Sequence, residues 1–66
     1  MNYTQTLETL SSFFAESVKF HKSNFAQAIR DIEKIKRDPY KRFGKRLHKE
    51  AKRDFIAYLY ETLRDY

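Results

Sequence analysis

The segment KRDPYKRFG, residues 36–44, contains the only proline and the only glycine of this 66-residue chain. Asp38 followed by Pro39 is a strong helix start, because aspartate accepts from free amide donors and proline suits the first helical position. Pro39 also disfavours helical geometry at Asp38, so a preceding helix ends there. The segment therefore predicts a boundary between two helices, with Gly44 weakening the first turns of the second.

Toward the N-terminus, apolar residues recur at the three- and four-residue steps of a helix rather than at the alternation of a strand. One such series begins at Leu7 and another at Phe25. Asn2 and Asn24 each precede a glutamine by three residues, which is the spacing of a capping box. These patterns predict helices near residues 4–22, 24–37 and 39–65.

Two all-α architectures fit these helices. In the one we favour, a break near Ser23 and Asn24 gives a small three-helix bundle. Phe13 and Phe20 support the break, because they widen the apolar face of the first helix, and a wide face is typical of a helix that packs against two others. In the alternative, the first two helices merge, and the long helical hairpin dimerises into a four-helix bundle. In both cases the sequence predicts a single domain over residues 1–66.

Charge is concentrated in the C-terminal half of the chain. Residues 34–53 contain ten of the fourteen basic residues and two of the nine acidic ones, a formal charge of +8, whereas the whole chain carries +5. A positive field in one segment favours a polyanionic partner. The sequence has no cysteine, which is typical of a cytoplasmic protein. We expect no secretory leader and no membrane span, because no apolar run approaches about 20 residues.

The predicted third helix separates apolar from basic residues when its positions are projected at about 100° each. Leu47, Ala51 and Phe55 fall on the apolar side, and the basic side forms a stripe about three turns long. Such a stripe matches nucleic-acid phosphates, whose condensed counterions are released when lysine and arginine bind. The predicted polyanion-binding residues are Lys41, Arg42, Lys45, Arg46, Lys49, Lys52 and Arg53.

Four other residues of the predicted third helix have predicted roles. Tyr40 and Phe43 lie among the cations and would stack on unpaired bases if they were exposed. For Phe43 we favour packing into the core, since aromatic residues at helical spacing usually face inward. The apolar residues of the C-terminal segment cover more of the helix surface than a single core-facing side. We therefore expect Ile56 and Tyr60 to be exposed and to form a partner patch, which a homodimer could use.

We expect no enzymatic activity, no catalytic residue, no cofactor and no metal. The sequence has no glycine-rich phosphate loop and no nucleophile elbow. His21 is in phase with the apolar series, which predicts a structural, hydrogen-bonded histidine. His48 has no companion metal ligands at helical spacing.

Together these features predict a small regulatory or accessory protein that binds DNA or RNA mainly through backbone phosphates. The alternative is a protein-interaction module, an inhibitor or adaptor, that docks on an acidic partner surface with the same basic stripe. In length, and in the hairpin alternative, the chain resembles small plasmid- or phage-encoded regulators, but it matches no motif of theirs.

Overall fold

The computed structural model describes residues 1–22, 24–37, 39–44 and 46–64, without the side chains of Pro39 and Arg42. Within these ranges it contains four helices: α1 (Tyr3–Phe20), α2 (Phe25–Arg37), α3 (Pro39–Phe43) and α4 (Lys49–Arg64). Helices α1, α2 and α4 each pack against the other two, and the short α3 packs against α2. No strand occurs among the described residues. The predicted three-helix bundle is confirmed.

A short turn separates α1 from α2, so the long-hairpin alternative is wrong. Lys22 adopts a φ of +55°, a left-handed conformation that interrupts the helix. Asn24 then starts α2, where its Oδ1 accepts from the Gln27 amide at 3.2 Å. At the start of α1, Asn2 and Gln5 form the reciprocal capping box that their spacing predicts.

The predicted single helix over residues 39–65 is wrong, because the chain leaves helical geometry between α3 and α4. Gly44 has a φ of +70°, and its amide donates to the Tyr40 carbonyl at 2.9 Å, as in a left-handed helix cap. The chain becomes helical again after His48, whose Nδ1 accepts from the Ala51 amide at 3.4 Å. Gly44 therefore ends a helix instead of weakening one.

The hydrophobic core lies between α1, α2 and α4. On α1 the buried face passes through Leu10 and Phe13, whereas Leu7 and Phe14 are only half-buried. The core cluster consists of Leu10, Phe13, Ile29, Ile32, Ile35, Leu47, Phe55, Ile56 and Leu59. Within the described ranges, no helix is both long enough and apolar enough to traverse a bilayer.

Candidate polyanion-binding groove

A surface groove of about 410 Å³ between α2 and α4 brings together cations from distant parts of the sequence. Lys36 lies in the last turn of α2, and the other cations lie in the first two turns of α4. Within the described lining, Glu50 is the one acidic side chain. We call this surface the basic groove, and its lining residues are Lys36, Lys49, Glu50, Lys52, Arg53 and Ile56.

Helical spacing explains why the α4 cations share the groove. Lys49 and Arg53 are four residues apart, and Lys52 follows Lys49 by three, so all three lie on neighbouring positions of the helix surface. The Lys52 side chain is half-buried, so its aliphatic stem lies against the protein surface while its ammonium group can remain in water. Lys36 follows the buried Ile35, which places it at the edge of the core beside α4.

Two hydrogen bonds fix the start of α4 against the first turns of α1, and they thereby position the groove. The Tyr3 hydroxyl donates to Asp54 Oδ2 at 2.7 Å, and the His48 amide donates to Thr6 Oγ1 at 3.1 Å. The hydrogen bond to the Asp54 carboxylate raises the pKa of Tyr3 above its ordinary value of 10.0. Thr6 is fully buried, so its hydroxyl is held inside the bundle.

Few carboxylates neutralise the cations of the basic groove. Arg53 Nε lies 3.5 Å from Asp54 Oδ1, but the Arg53 side chain is 75% exposed, and such pairs contribute little to stability. Among the residues that the structure describes, no carboxylate lies within ion-pairing distance of Lys36, Lys49 or Lys52. The groove therefore retains a positive potential that can attract an anionic ligand.

The structure brings three predicted polyanion-binding residues together and adds one that the sequence reasoning missed. Lys49, Lys52 and Arg53 line the groove as a group. Lys36 joins them from another helix, although it was not a predicted site residue. Its only sequence signal was membership of the basic segment 34–53, since its distance to α4 depends on how the helices pack.

Two other predicted cations, Lys41 and Arg46, do not lie in the basic groove with these three. Lys41 on α3 and Arg46 in the link before α4 are both exposed, and neither lines the basic groove. The side chain of Arg42 and all of Lys45 lie outside the described residues. The predicted stripe along a single helix is wrong, because the break that begins at Gly44 separates the cations of α3 from those of α4.

The two aromatic residues of α3 have different environments. Tyr40 is exposed, so stacking on a base stays a prediction for this ring. Phe43 is half-buried, and its ring makes an edge contact with Phe13 at a centroid distance of 5.9 Å. The interpretation that Phe43 packs against the core is confirmed.

The two residues of the predicted partner patch on α4, Ile56 and Tyr60, are not both exposed. Tyr60 is 47% exposed, as predicted, but Ile56 is only 3% exposed and belongs to the core. The prediction for Ile56 was wrong because it assumed that one side of the helix faces the core. Helix α4 packs against both α1 and α2, so adjacent residues such as Phe55 and Ile56 are both buried.

Ser17, His21 and Asp31 form a separate polar cluster between α1 and α2. The Ser17 hydroxyl donates to Asp31 Oδ2 at 2.7 Å, and His21 Nε2 lies 2.9 Å from the same oxygen. The pKa of Asp31 is lowered, chiefly by the Ser17 hydrogen bond and further by His21, against the opposing effect of burial. A hydrolytic triad places histidine between serine and carboxylate, whereas here the carboxylate lies between the other two. The cluster is therefore a hydrogen-bonded link between the end of α1 and α2.

Within the described ranges, no three histidine, aspartate or glutamate side chains come together in a way that could hold a metal ion. Comparisons of the chain with protein-family models, with curated proteins and with solved structures found no significant match. Function is accordingly inferred from the geometry and charge of the basic groove.

Proposed function

We propose that this chain is a small regulatory or accessory protein that binds nucleic acid through backbone phosphates in the basic groove. The observation that carries the proposal is the convergence of Lys36 from α2 with Lys49, Lys52 and Arg53 from α4. Each lysine ammonium offers three donors, and the arginine fork matches two phosphate oxygens. Release of counterions from the nucleic acid would supply much of the affinity.

The chemistry of the groove favours contacts with the backbone over contacts with base edges. Asparagine and glutamine, which read adenine by paired hydrogen bonds, do not occur in the described lining of the groove. Lysine and arginine on rigid helices lose less entropy on binding than the same residues on a disordered tail. We therefore expect sequence preference to come from the shape of the nucleic acid or from a partner protein.

A second candidate function is docking on an acidic protein surface, as an inhibitor or adaptor. The exposed side chains of Tyr58 and Tyr60 on α4 favour this candidate, because tyrosine is enriched where proteins meet. The same groove would supply the positive charge. For either function we propose a cytoplasmic setting, which the lack of cysteine in the sequence favours.

The sharpest test compares two exposed lysines of α2 that lie two positions apart. Lys36 lines the basic groove, whereas Lys34 lies near Asp31 and its charge lowers the pKa of that residue. The variants Lys36→Gln and Lys34→Gln lose the same charge from the same helix. Binding is measured by fluorescence anisotropy with a labelled DNA duplex and with an RNA of the same sequence over a range of salt concentrations.

Four phosphate contacts predict a slope of about −3.6 in log K against log salt for duplex DNA. We expect Lys36→Gln to make that slope shallower by about 0.9, with Lys34→Gln close to the unmodified chain. Equal effects of the two variants would show that net charge, and not the groove, determines binding. If neither nucleic acid binds at about 50 mM salt, where phosphate contacts are strong, docking on an acidic protein becomes the leading proposal.

A further inference from the structure

Phe20, at the end of α1, is 79% exposed although its side chain is large and apolar. It lines a hollow of about 510 Å³ between α1 and α2, together with Phe13, Glu16, Ser17, His21 and Asp31. We call this surface the Phe20 hollow. The ring of Phe20 makes an edge contact with the His21 ring at a centroid distance of 4.9 Å. This contact supports one side of the ring, and most of its surface remains available to a partner.

Two carboxylates, those of Glu16 and Asp31, line the hollow beside the exposed ring. Glu16 has no lysine or arginine within ion-pairing distance among the described residues. Both hydrogen bonds to Asp31 use its Oδ2, so Oδ1 has no partner in the described part of the chain. An adjoining hollow of about 380 Å³ shares Phe13 and Glu16 and adds Glu8. Neither hollow has a lysine or arginine in its described lining, so this face complements a cationic surface.

The chain itself carries a surface of the opposite character. The basic groove presents four cations with the apolar Ile56 in its lining. An aromatic ring flanked by carboxylates attracts cations through its π face and through charge. We propose that the Phe20 hollow of one copy docks the basic groove of a second copy. This inference uses the charges of the groove and does not depend on nucleic acid being its ligand.

The proposed contact joins two different surfaces and is therefore heterologous. Each pair of molecules keeps one free Phe20 hollow and one free basic groove, so assembly can extend beyond a dimer. The proposed contact relies on a few charges and one exposed ring, so we expect weak self-association that decreases as salt screens the charges.

Sedimentation equilibrium without nucleic acid tests the proposal at protein concentrations between about 10 μM and about 1 mM, the range in which weak complexes dissociate. The unmodified chain should show an average mass above that of the monomer, and the excess should fall with salt. Phe20→Ala should lower the association constant by about 2- to 30-fold, the range that one cation–π contact spans. Because Phe20 is exposed, the urea midpoint of this variant should match that of the unmodified chain.

Glu16→Gln and Glu61→Gln form a matched pair, because both replace an exposed glutamate on a helix surface. Glu16→Gln should weaken self-association, whereas Glu61→Gln should leave it unchanged. Equal effects of the two variants would overturn the proposal, as would an unmodified chain that stays monomeric at about 1 mM and low salt.

Two double variants test the pairing of the surfaces directly. Glu8→Gln with Glu16→Gln removes carboxylates of the hollow and leaves the groove intact, whereas Lys49→Gln with Lys52→Gln does the reverse. Each variant alone should be monomeric, and their equimolar mixture should form dimers that do not extend, because only one pairing of intact surfaces remains. A mixture that stays monomeric would overturn the proposal. The first double variant keeps the whole basic groove, so its DNA binding tests the proposed function separately.

Discussion

Replacing Gly44 by alanine distinguishes a helix end from a helix interior by the sign of the change in stability. In the interior of a continuous helix, glycine to alanine stabilises by about 1 kcal/mol. At the observed φ of +70°, an L-residue loses roughly 1–2 kcal/mol because its Cβ crowds the backbone. Beyond Gly44 itself and its two chain neighbours, an added Cβ meets no heavy atom within 4 Å, so the local backbone conformation determines this loss.

The unfolded state offsets part of the loss. Alanine restricts the unfolded chain more than glycine does, which favours folding by about 0.4–1 kcal/mol. We therefore expect Gly44→Ala to lower the free energy of unfolding by roughly 0.8 kcal/mol, the difference between the midpoints of the two ranges. A domain of this size has a total stability of roughly 3–10 kcal/mol, so urea denaturation followed by far-UV circular dichroism resolves the change.

D-Alanine at position 44 is the matched control, because its mirror-image Cβ is compatible with a positive φ. The 66-residue chain is short enough for chemical synthesis, which makes this variant accessible. It should raise the free energy of unfolding by about 0.4–1 kcal/mol, since only the effect on the unfolded chain remains. The opposite pattern, with L-alanine stabilising and D-alanine destabilising, would refute the break between α3 and α4.

Three further predictions concern the hydrophobic core and the hydrogen bonds that join the helices. In urea denaturation, Ile56→Val should lower the free energy of unfolding by about 0.5–1.5 kcal/mol, and Tyr60→Ala by less than about 0.5 kcal/mol. An effect of Ile56→Val as small as that of Tyr60→Ala would contradict the burial of Ile56. Asp31→Asn should destabilise the fold at neutral pH, and the difference should shrink as the pH falls below the ordinary aspartate pKa of 3.8. Because the pKa of Asp31 is lowered in the folded state, its ionised form stabilises the fold when the pH is above the ordinary pKa of 3.8, and this stabilisation is lost as the pH falls through the folded-state pKa. A stability difference between variant and unmodified chain that does not change with pH would contradict this expectation. Thr6→Val leaves the His48 amide without its acceptor, so we expect the free energy of unfolding to fall by about 1–3 kcal/mol in thermal or urea denaturation. An unchanged midpoint would argue against this hydrogen bond.

Local features of the fold could be predicted from the sequence because they depend on residues within about four positions. The capping box of Asn2 and Gln5 and the cap of α2 at Asn24 both follow from such short spacings. The break between α1 and α2 was predicted from the same signals. The end of α3 shows the limit of this reasoning, because Gly44 can either weaken a helix or end it, and its conformation depends on the surrounding structure.

The composition of the basic groove was decided by the tertiary structure. Ile56 was misplaced because α4 packs against both α1 and α2, which buries a wider face of the helix than a single core-facing side. Lys36 lies thirteen positions before Lys49. The two lysines line the same groove because the apolar faces of α2 and α4 pack together. The sequence by itself determined the charge of this region and most of its helices, whereas packing between helices determined which cations share a surface.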